Sequence, residues 1–548
     1  MKTVVAVLLL LSAGVSLAYA DESTRAHPNI VILLADDMGF SDIGCYGGEI
    51  STPNIDALAA EGVRFTQFYN AGRCCPSRAA LLTGLYPHQA ELGWMTSKGN
   101  DSPGYYDDLS RNALTIAEVL RAANYSTYMA GKWHVSKETT PTGENPNWPI
   151  HRGFDRYYGT HTGGAGYFDP NPLIRGDRVM TKDQDTEYQP KDFYYTTAIA
   201  DQASRFIREH VQEKSDRPFF MYVAFTAPHW PLQAPAGAVA KYHGKYDAGY
   251  EPIRAKRFAR EKELGIIAAD SELSPPPDQW DAQPDRAREA RCMEVYAAQV
   301  ELMDEGVGRV IAALKETGKL DNTLVLFLSD NGGCAEKMGR QSTTKPAHPT
   351  KTRDGRPIHD GAGTMPGPDD TFMAYGRSWA NVSNTPFRLY KKWVHEGGIS
   401  TPLIAHWPAM IKRHNELERQ PGHIIDLMTT CMDVSGASYP ARINNRAATP
   451  PQGVSLVPAF LGQPLSRTTP LFWEHEGNRA IRVGNYKLVA KGETGPWELY
   501  DITKDRAELH NLADKEPARV KDLSTQWQHW AEANNVFPLN PFKNAQQE

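Results

Sequence analysis

Along the chain, short runs of apolar and β-branched residues alternate with stretches whose apolar positions recur every three to four residues. Asn29 to Ala35 (NIVILLA) reads as a strand buried on both faces, since nothing polar interrupts it after its first residue. Asn54 to Ala60 follows as a helix, with Thr52 as its cap and Pro53 at the first position, where a missing N–H costs nothing. The alternation then repeats. Thr115 to Ala122 is helical and leads into a strand at Ser126 to Ala130; Thr196 to Val211 is helical and leads into Phe219 to Phe225. Glu294 to Glu316 carries Val295, Ala298, Leu302, Val307, Val310 and Leu314 at helical spacing and leads into Thr323 to Leu328. Such a pattern predicts an α/β architecture, a large, mostly parallel or mixed sheet sandwiched by helices. Pro402 to Trp407 predicts one more strand and His423 to Val434 one more helix. Pro252 to Arg291 is polar, has no strong strand signal and is expected as a surface excursion. From Leu471 the segments FWEHEGNRAIRV, NYKLVA and WELYDI predict short antiparallel strands, with a helix at Val520 to Ala533 behind them. The expected organisation is a signal peptide over residues 1–20, a large α/β domain over 21–440 and a smaller C-terminal α+β subdomain over 441–548.

Composition changes this picture in one respect, the compartment. The first twenty residues combine Lys2, an apolar run from Val4 to Leu11 and the small-x-small ending Ala18-Tyr19-Ala20, the layout of a secretory signal peptide. The run is too short for a spanning helix, and no later segment is long and apolar enough, so the mature chain is expected to be exported and periplasmic or extracellular. A formal charge of -6 over 548 residues gives no reason to expect nucleic acid or a membrane as partner. In an oxidising compartment the six cysteines (Cys45, Cys74, Cys75, Cys292, Cys334, Cys431) would by default form up to three disulfides. Their spacing matches no zinc pattern.

In open α/β sheets ligands bind beyond the carboxyl ends of the strands, so the residues that follow each apolar run are the place to look for chemistry. Four runs end in reactive side chains: NIVILLA in Asp36-Asp37, STYMAG in Lys132-Trp133-His134, FMYVAFTAP in His229, and TLVLFLS in Asp330-Asn331. Any one alone could be a turn or a cap; four together are hard to assign to chance. Asp36, Asp37, Asp330 and Asn331 offer hard oxygen ligands, which suit calcium or magnesium and not zinc. Without a cation, carboxylates so close would raise one another's pKa values. Lys132, His134, His229 and either Lys391 or Lys392 add positive charge and proton donors, and the set describes a site for an anionic tetrahedral group.

The stretch AGRCCPSRAALLTG supplies the remaining part. Adjacent cysteines are poor disulfide partners. Pro76 suits the first turn of a helix through Ala79 to Thr83, which puts Cys74 at the positively polarised N-terminus and lowers its thiol pKa. A thiolate beside an oxygen cage is an odd pairing, because hard cations prefer oxygen.

Cys74-Cys75-Pro76-Ser77-Arg78 followed by AALLTG resembles the C-x-P-x-R signature of the sulfatase family, whose first cysteine is oxidised by a maturation enzyme to formylglycine. Only Cys74 stands in register with the proline and the arginine. The resemblance runs from about Pro28 to the terminal WELYDI and ELHNLA, is closest to bacterial arylsulfatases, and is carried also by LLADDMGFSDIGCYGG, LTGLYPHQA, GKWH, EVYAAQVELMD, SDNGG and NTPFRLYKKWVHEGGISTPLIAHWP. It implies an alkaline-phosphatase-like fold and one calcium ion held by Asp36, Asp37, Asp330, Asn331 and the modified Cys74. Arg78 would hold the hydrated aldehyde and the carboxylates, while Lys132 and Lys391 would contact sulfate oxygens; Lys391 and not Lys392 is in register, five residues before Glu396. His229 resembles the acid that protonates the leaving alcohol and touches the substrate. His134 resembles the base that lets the sulfated hydrate expel sulfate.

Two other readings compete. Phosphonate monoester hydrolases and related phosphodiesterases share the fold and can share the modified cysteine. A catalytically dead, glycan-binding sulfatase-like protein is the non-enzymatic reading, but all ten expected site positions hold competent residues. The substrate expected is an aryl sulfate in vitro and a sulfated carbohydrate in nature. His161, Tyr375, Arg377, Trp379, Glu474, His475 and Arg479 are the residues expected near the cleft, and His475 is expected to line the substrate pocket from the C-terminal subdomain.

Overall fold

The computed structural model describes residues 27–96, 99, 101–140, 145–214, 216–340 and 349–539. The signal-peptide segment lies outside them. Among the described residues no helix is long and apolar enough to cross a membrane.

Eleven strands form one sheet: β1 (Asn29–Ala35), β2 (Val63–Tyr69), β3 (Ser126–Lys132), β4 (Arg156–Thr160), β5 (Leu173–Arg175), β6 (Arg178–Met180), β7 (Phe219–Ala224), β8 (Thr323–Ser329), β9 (Ser400–His406), β10 (Glu416–Glu418) and β11 (Gly422–His423). Their order is β10-β2-β9-β8-β1-β7-β3-β4-β5-β6, with β11 also paired to β2. The central five, β8-β1-β7-β3-β4, are parallel, while β9 runs antiparallel between β2 and β8. The mixed sheet predicted above is therefore the observed one. β2, which the sequence pattern did not single out, leads directly into the cysteine pair.

Strand alternation decides what each face buries. Val31, Leu33 and Ala35 of β1 join one core with the helices Pro53–Ala60, Tyr195–Lys214 and Arg286–Glu316. Ile30, Ile32 and Leu34 join the other, with the helices Cys74–Thr83, Ile116–Ala122 and Asp426–Ser435. The helix Ile116–Ala122 is closed by a full capping box between Thr115 and Glu118.

The expected surface excursion needs correction. Tyr250–Glu263 is a helix whose Arg254, Arg257 and Glu261 are buried. Arg257 pairs with Asp42 at 2.7 Å and with Glu49 at 2.7 Å, so its charge is matched inside the fold. A polar composition hid this, because charged residues at i, i+3 and i+7 can share one face and be buried there when paired. The helix Arg286–Glu316 likewise begins eight residues before the apolar repeat. The six cysteines are all free and buried, so the disulfides expected of an exported chain are not formed.

The hairpin strands β12 (Arg442–Ile443) and β13 (Arg446–Ala447) precede the antiparallel C-terminal sheet β14 (Leu471–His475), β15 (Asn478–Val483), β16 (Tyr486–Ala490) and β17 (Trp497–Asp501). One face packs Ile481, Leu488 and Leu499 on the helix Pro517–Ala533. The other packs Leu471, Trp473, Ala480 and Val489 on Tyr69, Val394 and Ile399 of the large domain.

Candidate active site

Register brings the polar strand ends together. Ala35 of β1 pairs with Ser329 of β8, Leu34 with Ala224 of β7, and Gly131 of β3 with the same Ala224. The residues just beyond, Asp36-Asp37, Asp330-Asn331, Lys132 to His134 and the loop bearing His229, therefore share one carboxyl edge. Gly131 has φ 112, and a Cβ there would lie 1.9 Å from the Ala224 carbonyl oxygen, so only glycine lets the strand deliver Lys132. Asp37 and His134 hold left-handed φ values of 63 and 57, a conformation uncommon outside glycine and often met at functional sites.

Every charge in this centre is buried and paired. Lys132 Nζ donates to Asp36 Oδ2 at 2.6 Å, and Lys391 Nζ to Asp37 Oδ2 at 2.9 Å. Arg78 turns its fork on Asp330 Oδ2, from Nε at 3.0 Å and Nη2 at 2.8 Å, and donates through Nη1 to the Lys132 carbonyl at 2.9 Å. Asn331 Nδ2 donates to Asp37 Oδ1 at 2.7 Å. Burial pushes Asp37 up, but Lys391 and His229 outweigh it and hold the carboxyl down at about 2. Burial, together with Asp36, pushes Asp330 up to about 8, and burial raises Asp36 as well.

All ten residues of the helix Cys74–Thr83 are buried, and Gly84 ends it in the left-handed conformation. Arg73 is its extended N-cap and makes no side-chain cap, which leaves the first-turn N–H groups polarised toward Cys74. A hydrogen bond from Cys75 and the charges of Lys132 and Lys391 pull the Cys74 thiol well below its ordinary range, against burial. Cys75 is fully buried, with Sγ 4.0 Å from Thr96 Oγ1. Burial pulls His134 and His229 down to about 4 each, so both rings are neutral at neutral pH. His229 Nδ1 donates to the Trp230 carbonyl at 2.6 Å, leaving Nε2 3.4 Å from Asp37 Oδ2.

The residues present fit a hard divalent cation. Asp36 Oδ1 and Asn331 Oδ1 are buried acceptors without a hydrogen-bond partner, the state expected of oxygens that serve a metal. Ligand atoms of Asp36, Asp37 and His229 lie within 4.8 Å of one another, and burial with neighbouring charge opposes full ionisation of Asp36 and Asp330 until a cation joins them.

All ten expected catalytic and metal positions thus fall in one buried cluster, and of the adjacent lysines Lys391 faces Asp37 while Lys392 lies outward near Glu476. The recognition residues are different. His475, expected to line the substrate pocket, is fully buried and stacked on Trp94 with ring centroids 5.1 Å apart. It shares the inward face of β14 with Trp473, and Glu476, turned by φ 53, pairs with Arg73, the residue before Cys74. His161 and Trp379 are core residues, Tyr375 stacks on Tyr296, Glu474 accepts from His88 Nε2 at 2.7 Å, Arg377 pairs with Asp278, and Arg479 lies over Trp497. Sequence reasoning missed the glycine loop after β4. A Cβ on Gly163 would stand 2.5 Å from His134 Cε1, and one on Gly164 3.5 Å from His229 Cε1. Two adjacent glycines beyond a strand end were the available signal.

A buried tetrad of acidic and amide oxygens, a cysteine at a helix N-terminus and converging lysines and histidines on this sheet form a site for an anionic tetrahedral ester. The chain belongs to the sulfatase family: residues 28–437 match the Sulfatase family model. Residues 387–531 match the model of the N-sulphoglucosamine sulphohydrolase C-terminal region. The chain is 34% identical over 542 residues to an uncharacterized sulfatase of Schizosaccharomyces pombe, covering 93% of this chain and 94% of that one. It is 35% identical over 463 residues to the arylsulfatase of Klebsiella aerogenes, covering 82% and 95%. The crystal structure of Ps i-CgsB superposes with a TM-score of 0.66 at 26% identity, covering 95% of this chain and 96% of that one. Sulfatases generally use a formylglycine nucleophile and a metal ion.

Proposed function

We propose that this sulfatase is exported, depends on calcium, uses Cys74 as its nucleophile after conversion to formylglycine, and removes sulfate from a carbohydrate. The observation that carries the reading is the convergence of Asp36 Oδ1 and Asn331 Oδ1, both buried without a hydrogen bond, with Cys74, Lys132, Lys391 and two neutral histidines. The sugar class is supported by relatives named N-acetylgalactosamine-6-sulfatase, such as that of Canis lupus familiaris at 28% identity, and by Ps i-CgsB in complex with k-i-k-neocarrahexaose. Export rests on the layout of residues 1–20.

Asp36, Asp37, Asp330 and Asn331 would hold the ion, which with the aldehyde hydrate at position 74 supplies charge neutralisation, an attacking hydroxyl and a second hydroxyl for elimination. The protein's own groups do the rest. Lys132 and Lys391 turn two fixed ammonium groups toward the sulfate oxygens. Arg78 fixes Asp330 and the Lys132 carbonyl together, keeping the metal side and the sulfate side in register. His229 presents Nε2, because Nδ1 is committed to the Trp230 carbonyl; an arriving anion favours the imidazolium and readies it to protonate the leaving oxygen. His134, kept neutral by burial and wedged against Gly163, takes the proton from the hydroxyl at position 74.

The test is turnover of 4-nitrophenyl sulfate, a phenyl phosphonate and a panel of sulfated mono- and oligosaccharides, with and without a chelator, on protein whose residue 74 has been read by peptide mass spectrometry. Sulfate release that needs both the aldehyde and calcium is expected. A large preference for the phosphonate, or full activity with an unmodified Cys74 thiol, would overturn the reading.

A further inference from the structure

Exposure rises outward from the buried centre. Cys74, His229 and Lys391 are 1–5% exposed, whereas the side chains of Arg73, Glu336, Glu476 and Lys392 are 14–26% exposed. These four make one chain of ion pairs. Arg73 Nη2 lies 3.0 Å from Glu336 Oε1, its Nη1 2.7 Å from Glu476 Oε1, and Lys392 Nζ 3.9 Å from Glu476 Oε2. The chain touches the centre at three places: Arg73 precedes Cys74, Glu336 lies 3.8 Å from Lys391 Nζ, and Trp230, whose Nε1 donates to Glu336 at 2.8 Å, packs against the His229 ring. Trp94 lies under the Arg73 guanidinium at 5.8 Å. The chemistry assigned above uses none of Arg73, Trp94, Glu336, Lys392 and Glu476. Glu476 comes from the β14–β15 turn, so both domains build this rim.

We propose that the rim is the subsite for the sugar ring bearing the scissile sulfate, and that it selects a neutral pyranose over one carrying a carboxylate or second sulfate. This rests on the buried centre being that of a sulfatase. The sulfate charge is met by Lys132 and Lys391, and the rim adds two cations and two anions that already neutralise each other. A hydroxyl both donates and accepts, so it can bridge a carboxylate and a guanidinium held 3 Å apart without unpairing them. An added anion cannot: it must face Glu336 or Glu476, or take Arg73 from them and leave Glu336 to Trp230 Nε1 and a Lys391 ammonium 3.8 Å away and Glu476 to a Lys392 ammonium 3.9 Å away, both weaker than the pairs lost. Half-buried Trp230 gives the apolar face of a pyranose an aromatic wall.

The experiment uses the full chain with aldehyde content measured. Its substrates are 4-nitrophenyl sulfate and matched mono- and disulfated forms of galactose, N-acetylgalactosamine and N-acetylglucosamine. The wild type should favour the monosulfated member of the pair it turns over best by at least tenfold in kcat/KM. Arg73→Met should lower kcat/KM for that sugar at least tenfold more than for 4-nitrophenyl sulfate, chiefly through KM. Glu476→Gln, which keeps the side chain's shape and leaves the rim with one net positive charge, should narrow the mono-to-disulfated ratio at least threefold, and it decides the matter should R73M not fold. Preference for the disulfated sugars, equal losses of R73M on sugar and aryl sulfate, or an unchanged ratio in E476Q would each overturn the proposal. Failure to cleave any sulfate ester with the aldehyde in place would instead overturn the sulfatase reading beneath it.

Discussion

Glu396→Gln tests how the C-terminal sheet is fastened to the catalytic domain. Glu396 is fully buried, follows the Lys391 loop, and lies 3.0 Å from Lys487 Nζ of β16, 3.1 Å from Arg506 Nη2 and 3.0 Å from the Tyr69 hydroxyl. Burial pushes its carboxyl up, but Lys487, Arg506 and Arg482 outweigh it and bring it from 4.5 down to about 2. Removing a carboxylate held down by buried cations should cost on the order of 3 kcal/mol at pH 7, the scale expected when one partner of a buried ion pair is removed. The sign is that of a depressed carboxylate. The stability is fully present above 4.5 and is lost as pH falls toward 2, so the deficit of E396Q should shrink as pH is lowered from 7 to 3. Because the chain has two packed units, amide exchange over residues 486–490 is a sounder assay than one global midpoint. Faster exchange in E396Q than in wild type at pH 7, with the gap narrowing at pH 3, is expected. Equal protection at pH 7, or a gap that does not change with pH, would refute the reasoning.

Three further outcomes follow from the site. Cys74→Ala should abolish turnover at near wild-type stability, Cys74→Ser should stall after at most one turnover, and Cys75→Ala should keep most activity; peptide mass spectrometry finding the aldehyde at position 75 would sink the register argument. Asp330→Ala removes a carboxylate and frees the Arg78 fork, so calcium content by elemental analysis and activity should fall together, as they should, slowly, on chelation of the wild type; full activity in metal-free protein would exclude the oxygen cage. Gly163→Ala brings a Cβ to 2.5 Å from His134 Cε1 and should displace the imidazole, lowering kcat on 4-nitrophenyl sulfate about 100-fold with little change in stability. A near wild-type kcat would show that the loop does not position His134.

The sequence alone determined the family, the scaffold and which reactive groups meet on it. Apolar runs fixed β1, β3, β7 and β8, and the residues after them were the site, because a parallel sheet aligns its carboxyl ends whatever the loops do. C-x-P-x-R register singles out Cys74 as the proposed nucleophile, and the interval to Glu396 singles out Lys391, the lysine that faces Asp37 in the structure. What surrounds the substrate was decided only in three dimensions. The polar cluster WEHEGNR looked like a recognition loop, yet strand alternation buries His475, and a single left-handed residue turns Glu476 to a partner, Arg73, that is 403 residues away in sequence. The charged helix Tyr250–Glu263 looked exposed because composition carries no information about partners, and Arg257 becomes a core residue only when Asp42 and Glu49 are folded against it. Local pattern specifies elements and reactive groups; whether a charge or a ring is buried depends on which distant residue meets it, and that is a property of the packed chain.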